Sequence, residues 1–333
     1  MPLLSVDELT VTFGGRGRTP SRAVDGVSFT VDQGQVVGLV GESGCGKSVT
    51  SLALMGLLPR KGVTVGGRAV FDGEDLLAMG PKKIRDMRGS KLAMIFQDPL
   101  SSLNPVIPIG VQVTEILQRH RGLKGEAARK EAAHLLDRVG IPDPRRRLKE
   151  YPHQLSGGMR QRALIAMAVA CAPRLLIADE PTTALDVTIQ AQILELLKEL
   201  VDEEGTALLM ITHDLGVVAG LCDQVNVLYA GKAVESAGRR ELFAHPTHPY
   251  AHGLLGSIPR LDAPRGEPLN PIRGSINDKI AWADGCAFAP RCDFYTLECL
   301  TGTPLLTEPR AEGHRVRCVN PVLPDAPAEE VPA

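Results

Sequence analysis

The chain has 333 residues, 44% of them apolar, which is enough for a nucleotide-binding domain with an appendage. Its net charge of −2 gives no indication of a nucleic-acid partner. The N-terminal residues lack the basic and apolar regions of a signal peptide, and the longest apolar run, 163–173, is too short to cross a bilayer. These features predict a cytoplasmic protein without a membrane segment, which can still dock on a membrane protein.

Two stretches near the N-terminus alternate loosely between apolar and polar residues. They are Leu3–Phe13 and Ala23–Val31, and both predict strands of an antiparallel layer. Phe13 ends the first stretch, where an aromatic ring can stack on a nucleotide base. On spacing alone, an ordinary half-buried strand aromatic is the favoured interpretation of Phe13.

Residues 41–48 match the phosphate-loop pattern G-x-x-x-x-G-K-S/T at every fixed position. The apolar run Val36–Val40 precedes them, and a predicted helix over Ser48–Leu58, stopped by Pro59, follows. This strand–loop–helix context disfavours a glycine-rich turn that matches by chance. The backbone N–H groups of such a loop bind phosphate oxygens, a lysine reaches the terminal phosphates, and a serine hydroxyl binds Mg²⁺. The residues predicted to bind nucleotide here are Gly41, Ser43, Gly44, Cys45, Gly46, Lys47 and Ser48.

After this helix, Ala69–Phe71 and Leu92–Phe96 are predicted as short strands, and Gln97 directly follows the second. A polar amide at the end of a central strand lies where parallel sheets place ligand-binding groups, although strand-ending polar residues are also common. Residues 104–150 then change character, with apolar residues at helical spacing over Lys124–Val139. We expect a small helical subdomain inserted into the sheet domain. The basic run 145–147 is more typical of a solvated loop than of a phosphate site.

Ser156, Gly157 and Gly158 precede a predicted helix over 159–172, which makes a second anion-binding helix N-terminus, a weak signal alone. The buried run 175–178 then leads directly into Asp179 and Glu180. Asp179 is predicted to hold Mg²⁺ through a water molecule, and Glu180 to act as the general base for the attacking water.

Two further polar positions follow. Asp186 caps the next predicted helix and is either only a cap or also functional. Thr206–Thr212 is another buried strand, tipped by His213, which can contact a γ-phosphate.

The order of these motifs resembles the nucleotide-binding subunit of an ATP-binding cassette (ABC) transporter. Leu-Ser-Gly-Gly at 155–158 is that family's own signature, and the resemblance covers about residues 3–255. It implies an α/β fold: a P-loop NTPase cassette with an antiparallel β layer, a RecA-like core and an inserted helical subdomain at about 104–152. The ATP-binding domain is then 1–257, and a small C-terminal extension occupies 258–333.

The resemblance also implies residue roles. Phe13 corresponds to the adenine-stacking aromatic, which reverses the interpretation from spacing. Gln97 corresponds to the glutamine that senses Mg²⁺ and couples to the membrane subunit, and His213 to the switch histidine. Family members form head-to-tail dimers with two ATP molecules between them, so the groups predicted to meet the opposite subunit's ATP or the interface are Ser156, Gly157, Gly158 and Asp186. The implied catalytic set is Glu180, His213 and Gln97, with Ser48, Gln97 and Asp179 at Mg²⁺.

Three stretches narrow the resemblance to the oligopeptide/dipeptide/nickel uptake subfamily, and to its D-type subunit. They are 97–105, 151–154 and 245–250, the last of which opens the subfamily's C-terminal extension. The implied partners are a homologous ATP-binding subunit, two membrane permeases and, indirectly, an extracytoplasmic substrate-binding protein, with no nucleic acid. The implied location is the cytoplasmic face of the membrane. We expect di- or oligopeptides as the cargo, and nickel or another small solute remains open as the alternative.

Four of the seven cysteines lie in the C-terminal extension, at Cys286, Cys292, Cys299 and Cys318. A cytosolic chain favours metal over disulfides, and the absence of a C-x-x-C pair disfavours a zinc ribbon. Four thiolates can hold a 4Fe–4S cluster, and the subfamily's peptide transporters carry such cysteines. We therefore predict an iron–sulfur cluster, with zinc or free thiols as alternatives. Residues 258–274 are predicted to be a linker, and the proline-rich, acidic 319–333 to be disordered.

Two rival functions belong to other classes. One is a soluble ABC ATPase that acts on DNA or ribosomes, but such proteins usually carry two cassettes, long coiled coils or basic surfaces. The other is a metal-dependent regulator that uses the cassette as a switch, and the intact Glu180 and His213 favour turnover over this role. We therefore expect an importer ATPase.

Overall fold

The computed structural model describes residues 1–14, 20–257, 272–274, 285–302, 304, 306–309 and 312–323. Most of the predicted linker and residues 324–333 of the predicted disordered tail lie outside these ranges. In chain order the described strands are β1 (Leu4–Phe13), β2 (Ser21–Val31), β3 (Val36–Val40), β4 (Val63–Phe71), β5 (Glu74–Asp75), β6 (Leu92–Ile95), β7 (Leu175–Asp179), β8 (Ala207–Thr212), β9 (Gln224–Tyr229), β10 (Lys232–Gly238) and β11 (Arg315–Val316).

The helices alternate with these strands through most of the chain. In chain order they are α1 (Lys47–Leu54), α2 (Pro81–Met87), α3 (Pro99–Ser102), α4 (Ile109–Arg121), α5 (Gly125–Arg138), α6 (Pro144–Arg147), α7 (Gly157–Val169), α8 (Val187–Glu204), α9 (Leu215–Leu221), α10 (Arg239–Ala244) and α11 (Pro249–Gly256). None of the helices in the described ranges is long and apolar enough to cross a membrane.

Two sheets form the framework, and they confirm the predicted α/β cassette with an antiparallel layer. The first is antiparallel with strand order β2-β1-β4-β5. The second has the order β11-β10-β9-β3-β8-β7-β6, and its strands from β9 to β6 run parallel. Because β3, β8, β7 and β6 are parallel neighbours, their carboxyl ends meet at one edge, where such sheets bind ligands.

The central strands are buried on both faces, and successive side chains point into two different cores. On β3, Val36 and Val40 face the core beneath the helices, whereas Val37 and Leu39 face the core shared with the antiparallel sheet. The same alternation runs along β7 and β8. This explains why these strands read as unbroken apolar runs rather than as alternating patterns.

Two predicted boundaries need correction. The helix after the phosphate loop ends at Leu54 rather than at Leu58, because Gly56 adopts a left-handed conformation (φ 60°) that an α-helix cannot continue. The strand predicted at Ala69–Phe71 begins at Val63, and Gly66 and Gly67 lie within it. Gly67 has a φ of 88°, and the β1–β4 register shifts there, because two residues of β1, Glu8 and Leu9, oppose this one residue of β4. The bulge therefore belongs to β1, and β4 continues through its two glycines.

Helices α3 to α6 lie between β6 and α7 in the chain, and α4 and α5 pack on α7. The C-terminal residues return to the main sheet, where β11 pairs antiparallel with β10. Residues 319–323 belong to this return, since the Val322 amide donates to the Thr247 carbonyl (2.8 Å).

Candidate nucleotide site

The phosphate loop occupies residues 41–48, between β3 and α1. Gly41 and Gly46 have positive φ angles of 148° and 103°, and a Cβ at either would overlap a carbonyl oxygen, that of Leu228 or of Ala23. Only glycine therefore fits these two positions. Gly44 also has a positive φ, but a Cβ there would meet no atom within 4 Å, which leaves open space over the middle of the loop. The loop thus forms a cradle of backbone N–H groups at the N-terminus of α1.

Lys47 is buried, with 5% of its surface exposed, and its ammonium group is folded back on the loop. Lys47 Nζ donates to the carbonyl oxygens of Gly41 (2.7 Å) and Glu42 (3.0 Å). Both acceptors belong to the cradle itself, so the positive charge lies beside the space that phosphate oxygens would fill. A phosphate can replace these carbonyls as a stronger, charged acceptor.

The adjacent strand ends supply the other polar groups of the site. Ser48 Oγ donates to Asp179 Oδ1 at 2.9 Å, which joins the start of α1 to the last residue of β7. Burial raises the pKa of the Asp179 carboxyl above its usual range, and the charge of Glu180 adds to this; the Ser48 hydrogen bond and the Lys47 charge oppose it. A hydroxyl beside a buried carboxylate is a suitable donor set for Mg²⁺.

Glu180 is the point where three of these elements meet. Its Oε2 accepts hydrogen bonds from Gln97 Nε2 (3.0 Å) and Thr183 Oγ1 (2.9 Å), and its Oε1 lies 3.3 Å from His213 Nδ1. The Glu180 side chain is largely buried, whereas that of His213 is 58% exposed. The structure therefore brings all three predicted catalytic side chains into one contact group beside Asp179.

The second predicted group lies on a different surface. Ser156 caps α7 by accepting from the Met159 amide (3.3 Å), and Asp186 caps α8 by accepting from the Ile189 amide (3.0 Å). The first turns of α7 and α8 lie close together, because Gly158 of α7 packs on Ile189 of α8. The two caps are therefore neighbours. Among the described residues, no hydrogen bond or ion pair joins this group to the phosphate loop of the same chain. Ser156 and Gly157 are exposed.

Comparison with known proteins decides the family. The profile of the ABC transporter family matches residues 24–183, and that of the oligopeptide/dipeptide transporter C-terminal region matches residues 234–299. The dipeptide transport ATP-binding protein DppD of Bacillus subtilis is 51% identical over 95% of this chain and 94% of its own length. The oligopeptide transport ATP-binding protein OppD of Haemophilus influenzae is 50% identical over 92% of this chain and 94% of its own.

The chain belongs to the ABC transporter family of ATP-binding subunits, in its oligopeptide/dipeptide branch. Solved cassettes agree with this. The ATP-binding cassette MJ0796, in a dimeric post-hydrolysis state with ADP and Pi, matches 71% of this chain and 99% of its own, with a TM-score of 0.64 and 28% identity. CbiO1 of Clostridium perfringens matches 74% of this chain and 92% of its own, with a TM-score of 0.61 and 28% identity.

The predicted aromatic of this ABC subunit, Phe13, is half-buried at the end of β1 and packs against the core of the antiparallel sheet. It stands in register with Ser21 and Val63. This placement suits the strand interpretation and leaves part of the ring accessible, so base stacking stays a prediction.

The prediction of an iron–sulfur cluster in this ABC subunit is wrong. All four C-terminal cysteines lie in the described residues and are free, and no group of three or more His, Cys, Asp or Glu side chains there can hold a metal ion. Burial raises the pKa of the Cys292 thiol to about 11 and of the Cys318 thiol to about 12. The absence of a group of metal-ligating side chains from the described residues also disfavours the zinc alternative.

Sequence reasoning missed two contacts of this cassette. Thr183 binds Glu180, and only its closeness in sequence could have indicated this. Glu42, at a variable position of the phosphate loop, forms a two-pronged ion pair with Arg291 of the C-terminal extension: Arg291 Nη1 lies 2.6 Å from Oε2, and Nη2 2.9 Å from Oε1. These two residues are 249 positions apart, and no sequence pattern connects them.

Proposed function

We propose that this chain is the ATP-hydrolysing subunit of a transporter that imports di- or oligopeptides across the cytoplasmic membrane. The observation that carries the chemistry is the Glu180 carboxylate, bound by Gln97 and Thr183 and facing His213 beside the phosphate loop. The peptide cargo rests on the relatives, which are about 50% identical and are described as dipeptide and oligopeptide transport proteins.

The first step is ATP binding. The loop amides of 41–48 take the β- and γ-phosphates, and Lys47 exchanges its two carbonyl acceptors for phosphate oxygens. Ser48 and Asp179 would hold Mg²⁺, and Gln97 is the third residue that we assign to it. When bound, Mg²⁺ neutralises charge on the β- and γ-phosphates. Phe13 stacks on the adenine.

The second step is hydrolysis. Glu180 accepts a proton from the water that attacks the γ-phosphorus, and its hydrogen bonds to Gln97 and Thr183 fix the carboxylate in position. His213 donates to the γ-phosphate once its contact with Glu180 loosens. The bond between the γ-phosphorus and the bridging oxygen breaks, ADP and phosphate leave, and Glu180 releases its proton to solvent.

The site is completed by a second ATP-binding subunit. Within the described part of the chain, no hydrogen bond or ion pair joins Ser156, Gly157, Gly158 or Asp186 to the chain's own phosphate loop, so we assign this group to the ATP held by the partner subunit. The dimeric state of a similar cassette, bound to ADP and Pi, supports this arrangement. We propose a homologous subunit, rather than a second copy, as that partner.

The family of importer ATPases implies permease and substrate-binding protein partners. We place the chain on the cytoplasmic face of the membrane, docked on two permeases. We also propose the domain division 1–257 and 258–333, with 104–152 as the helical subdomain that passes closure of the dimer to the permeases. No observation favours the DNA-directed or regulatory alternatives.

The test is uptake in cells that lack this chain's gene. We expect the wild-type chain and a Lys198→Ala control, altered at an exposed residue of α8, to restore accumulation of a labelled dipeptide. Lys47→Ala removes the phosphate ligand and should not restore it. Restored nickel accumulation without peptide accumulation would contradict the peptide cargo.

A further inference from the structure

The phosphate loop is held from outside the cassette core by a side chain of the C-terminal extension. Arg291 has only 6% of its side chain exposed, and its guanidinium forms the two-pronged pair with Glu42 described above. Its Nε also donates to the Arg273 carbonyl at 2.7 Å, and its Nη2 to the Gly274 carbonyl at 3.3 Å. Arg291 thus joins the extension, the segment 272–274 and the phosphate loop.

An aromatic group fixes the orientation of this arginine. The guanidinium carbon lies 5.8 Å from the ring centre of Tyr229 and 6.0 Å from that of Phe288. Phe288 in turn packs edge-on against Tyr229 and Tyr250, with ring centres 5.2 and 5.3 Å apart. A guanidinium that is buried, stacked and paired in this way has little freedom to choose another partner.

Glu42 connects this arginine to the lysine of the nucleotide site. Its carboxylate binds Arg291, its amide donates to the Tyr250 hydroxyl (2.9 Å), and its carbonyl accepts from Lys47 Nζ (3.0 Å). One residue of the loop is therefore fixed at three points, two of them by the extension and the helix α11 that precedes it. The third point is the phosphate-binding ammonium group.

We propose that Arg291 is a positioning residue for ATP binding, which acts through Glu42 and thereby makes nucleotide affinity depend on the docked C-terminal extension. This deepens the proposed function, since it rests on ATP binding at residues 41–48. The pair holds the first turn of the phosphate loop in its cradle shape, with the Lys47 ammonium group beside the space that phosphate oxygens would fill. Without the pair, the loop must pay the cost of adopting this shape when ATP binds, so affinity falls while the chemical step is preserved.

The experiment titrates the purified full chain with a fluorescent ATP analogue and records its unfolding temperature. KM and kcat for ATP are measured on the complex of the chain with its partner ATP-binding subunit. We expect Arg291→Gln to raise the Kd for the nucleotide about tenfold, with KM rising and kcat changing less than about twofold. Arg291→Lys keeps the positive charge but loses the two-pronged pairing with Glu42, so its affinity should lie between those of Arg291→Gln and the wild type. Glu42→Gln alone should weaken binding similarly, and the double variant should be no weaker than Arg291→Gln.

Arg317→Gln is the matched control. Arg317 also anchors the extension, through the carbonyls of Ala233 (3.3 Å) and Pro304 (3.2 Å), but it does not touch the loop. We expect it to lower the unfolding temperature and leave the Kd unchanged. Equal Kd values for wild type and both Arg291→Gln and Glu42→Gln would overturn the proposal, and so would the same loss of affinity in Arg317→Gln. Glu42→Gln keeps the test decisive if Arg291→Gln does not fold. If Lys47→Ala binds nucleotide as tightly as wild type, the proposed function itself fails.

Discussion

Glu180 shows how a single residue is shaped for its role. Its φ of 47° is left-handed, a conformation that costs a non-glycine residue on the order of 1–3 kcal/mol. The hydrogen bond from its amide to the Ile211 carbonyl (2.8 Å) anchors this turn at the end of β7. The turn directs the carboxylate toward Gln97 and His213, on the neighbouring strand ends. The position of this acid was predictable from the sequence, whereas its strained backbone was not.

At the scale of a single residue, the role of Asp179 at the magnesium site can be tested by substitution. We expect Asp179→Asn to raise the Mg²⁺ concentration for half-maximal ATP hydrolysis at least about tenfold, because one carboxylate ligand is lost. The raised pKa of Asp179 adds a pH signature. As pH falls through that raised pKa, the wild-type carboxyl becomes protonated and the Mg²⁺ requirement should increase, whereas that of the variant should stay flat.

The measurement is a Mg²⁺ titration of hydrolysis at several pH values. Asp202→Asn, an exposed residue of α8, is the control and should follow the wild type. Equal Mg²⁺ requirements for wild type and Asp179→Asn would remove Asp179 from the metal site.

At the scale of elements, the contact between α7 and α8 decides the shape of the surface offered to the second subunit. Gly158 is buried, and a Cβ there would come within 2.8 Å of Ile189 Cγ2. At the neighbouring Gly157 the nearest atom would be Leu185 Cδ2 at 3.9 Å, an ordinary contact. Two adjacent glycines therefore have different reasons to be small: one packs against a helix, and the other keeps the surface open.

This difference can be measured by urea unfolding. Gly158→Ala should destabilise the chain by about 1–3 kcal/mol, because the added methyl forces α8 away. Gly157→Ala should be neutral or slightly stabilising, since alanine favours helix and its methyl group would make only an ordinary contact with Leu185. Adding Ile189→Ala to Gly158→Ala should recover part of the loss. Equal effects at the two glycines would show that the packing of α7 on α8 does not constrain position 158.

Most elements were predictable because their signals are local. The runs at β3, β7 and β8 are apolar and end in polar residues, and the carboxyl ends of parallel strands must meet. The predicted boundaries were wrong at two places where the conformation of glycine residues decides how far an element extends. Gly56 ends α1 early, and β4 continues through Gly66 and Gly67, where Gly67 opposes a bulge in β1.

For the whole molecule, the docking of the C-terminal extension is the feature with the largest consequence. Besides Arg291, it is held by His314, whose Nε2 lies 2.7 Å from Glu235 Oε1; the exposures are 1% and 0%. The amides of Thr247 and His248 donate to the same Glu235 carboxylate (both 2.8 Å). The buried Glu235 carboxylate of β10 thus binds both the residues at the start of α11 and His314, which directly precedes β11.

The Glu235 hydrogen bond raises the pKa of His314, which predicts a pH dependence of stability. A histidine with a raised folded-state pKa contributes its full stabilisation below its unfolded pKa, about 6.5, and loses it as pH rises through the folded value. The loss in unfolding free energy caused by His314→Gln should therefore be largest near pH 6 and shrink toward pH 9. His134→Gln, at an exposed site of α5, should show no such trend. A pH-independent effect of His314→Gln would mean that the pair is not charged.

Contacts between distant segments of the chain were beyond sequence reasoning. The four C-terminal cysteines and the family resemblance predicted a cluster, but among the described residues no group of three or more ligand side chains can hold a metal ion. The pairs Arg291–Glu42 and His314–Glu235 join residues far apart in sequence, and only the folded extension brings them together.

The most direct test of the central claim separates ATP binding from hydrolysis at Glu180. Purified wild-type chain, Glu180→Gln and the exposed control Glu199→Gln are mixed with Mg²⁺ and ATP, and bound nucleotide and released phosphate are measured together. We predict that Glu180→Gln binds ATP as tightly as the wild type but releases phosphate at least about 100-fold more slowly, whereas Glu199→Gln matches the wild type in both. Wild-type phosphate release by Glu180→Gln would contradict the account, because the water would then be activated without the carboxylate at the centre of the site.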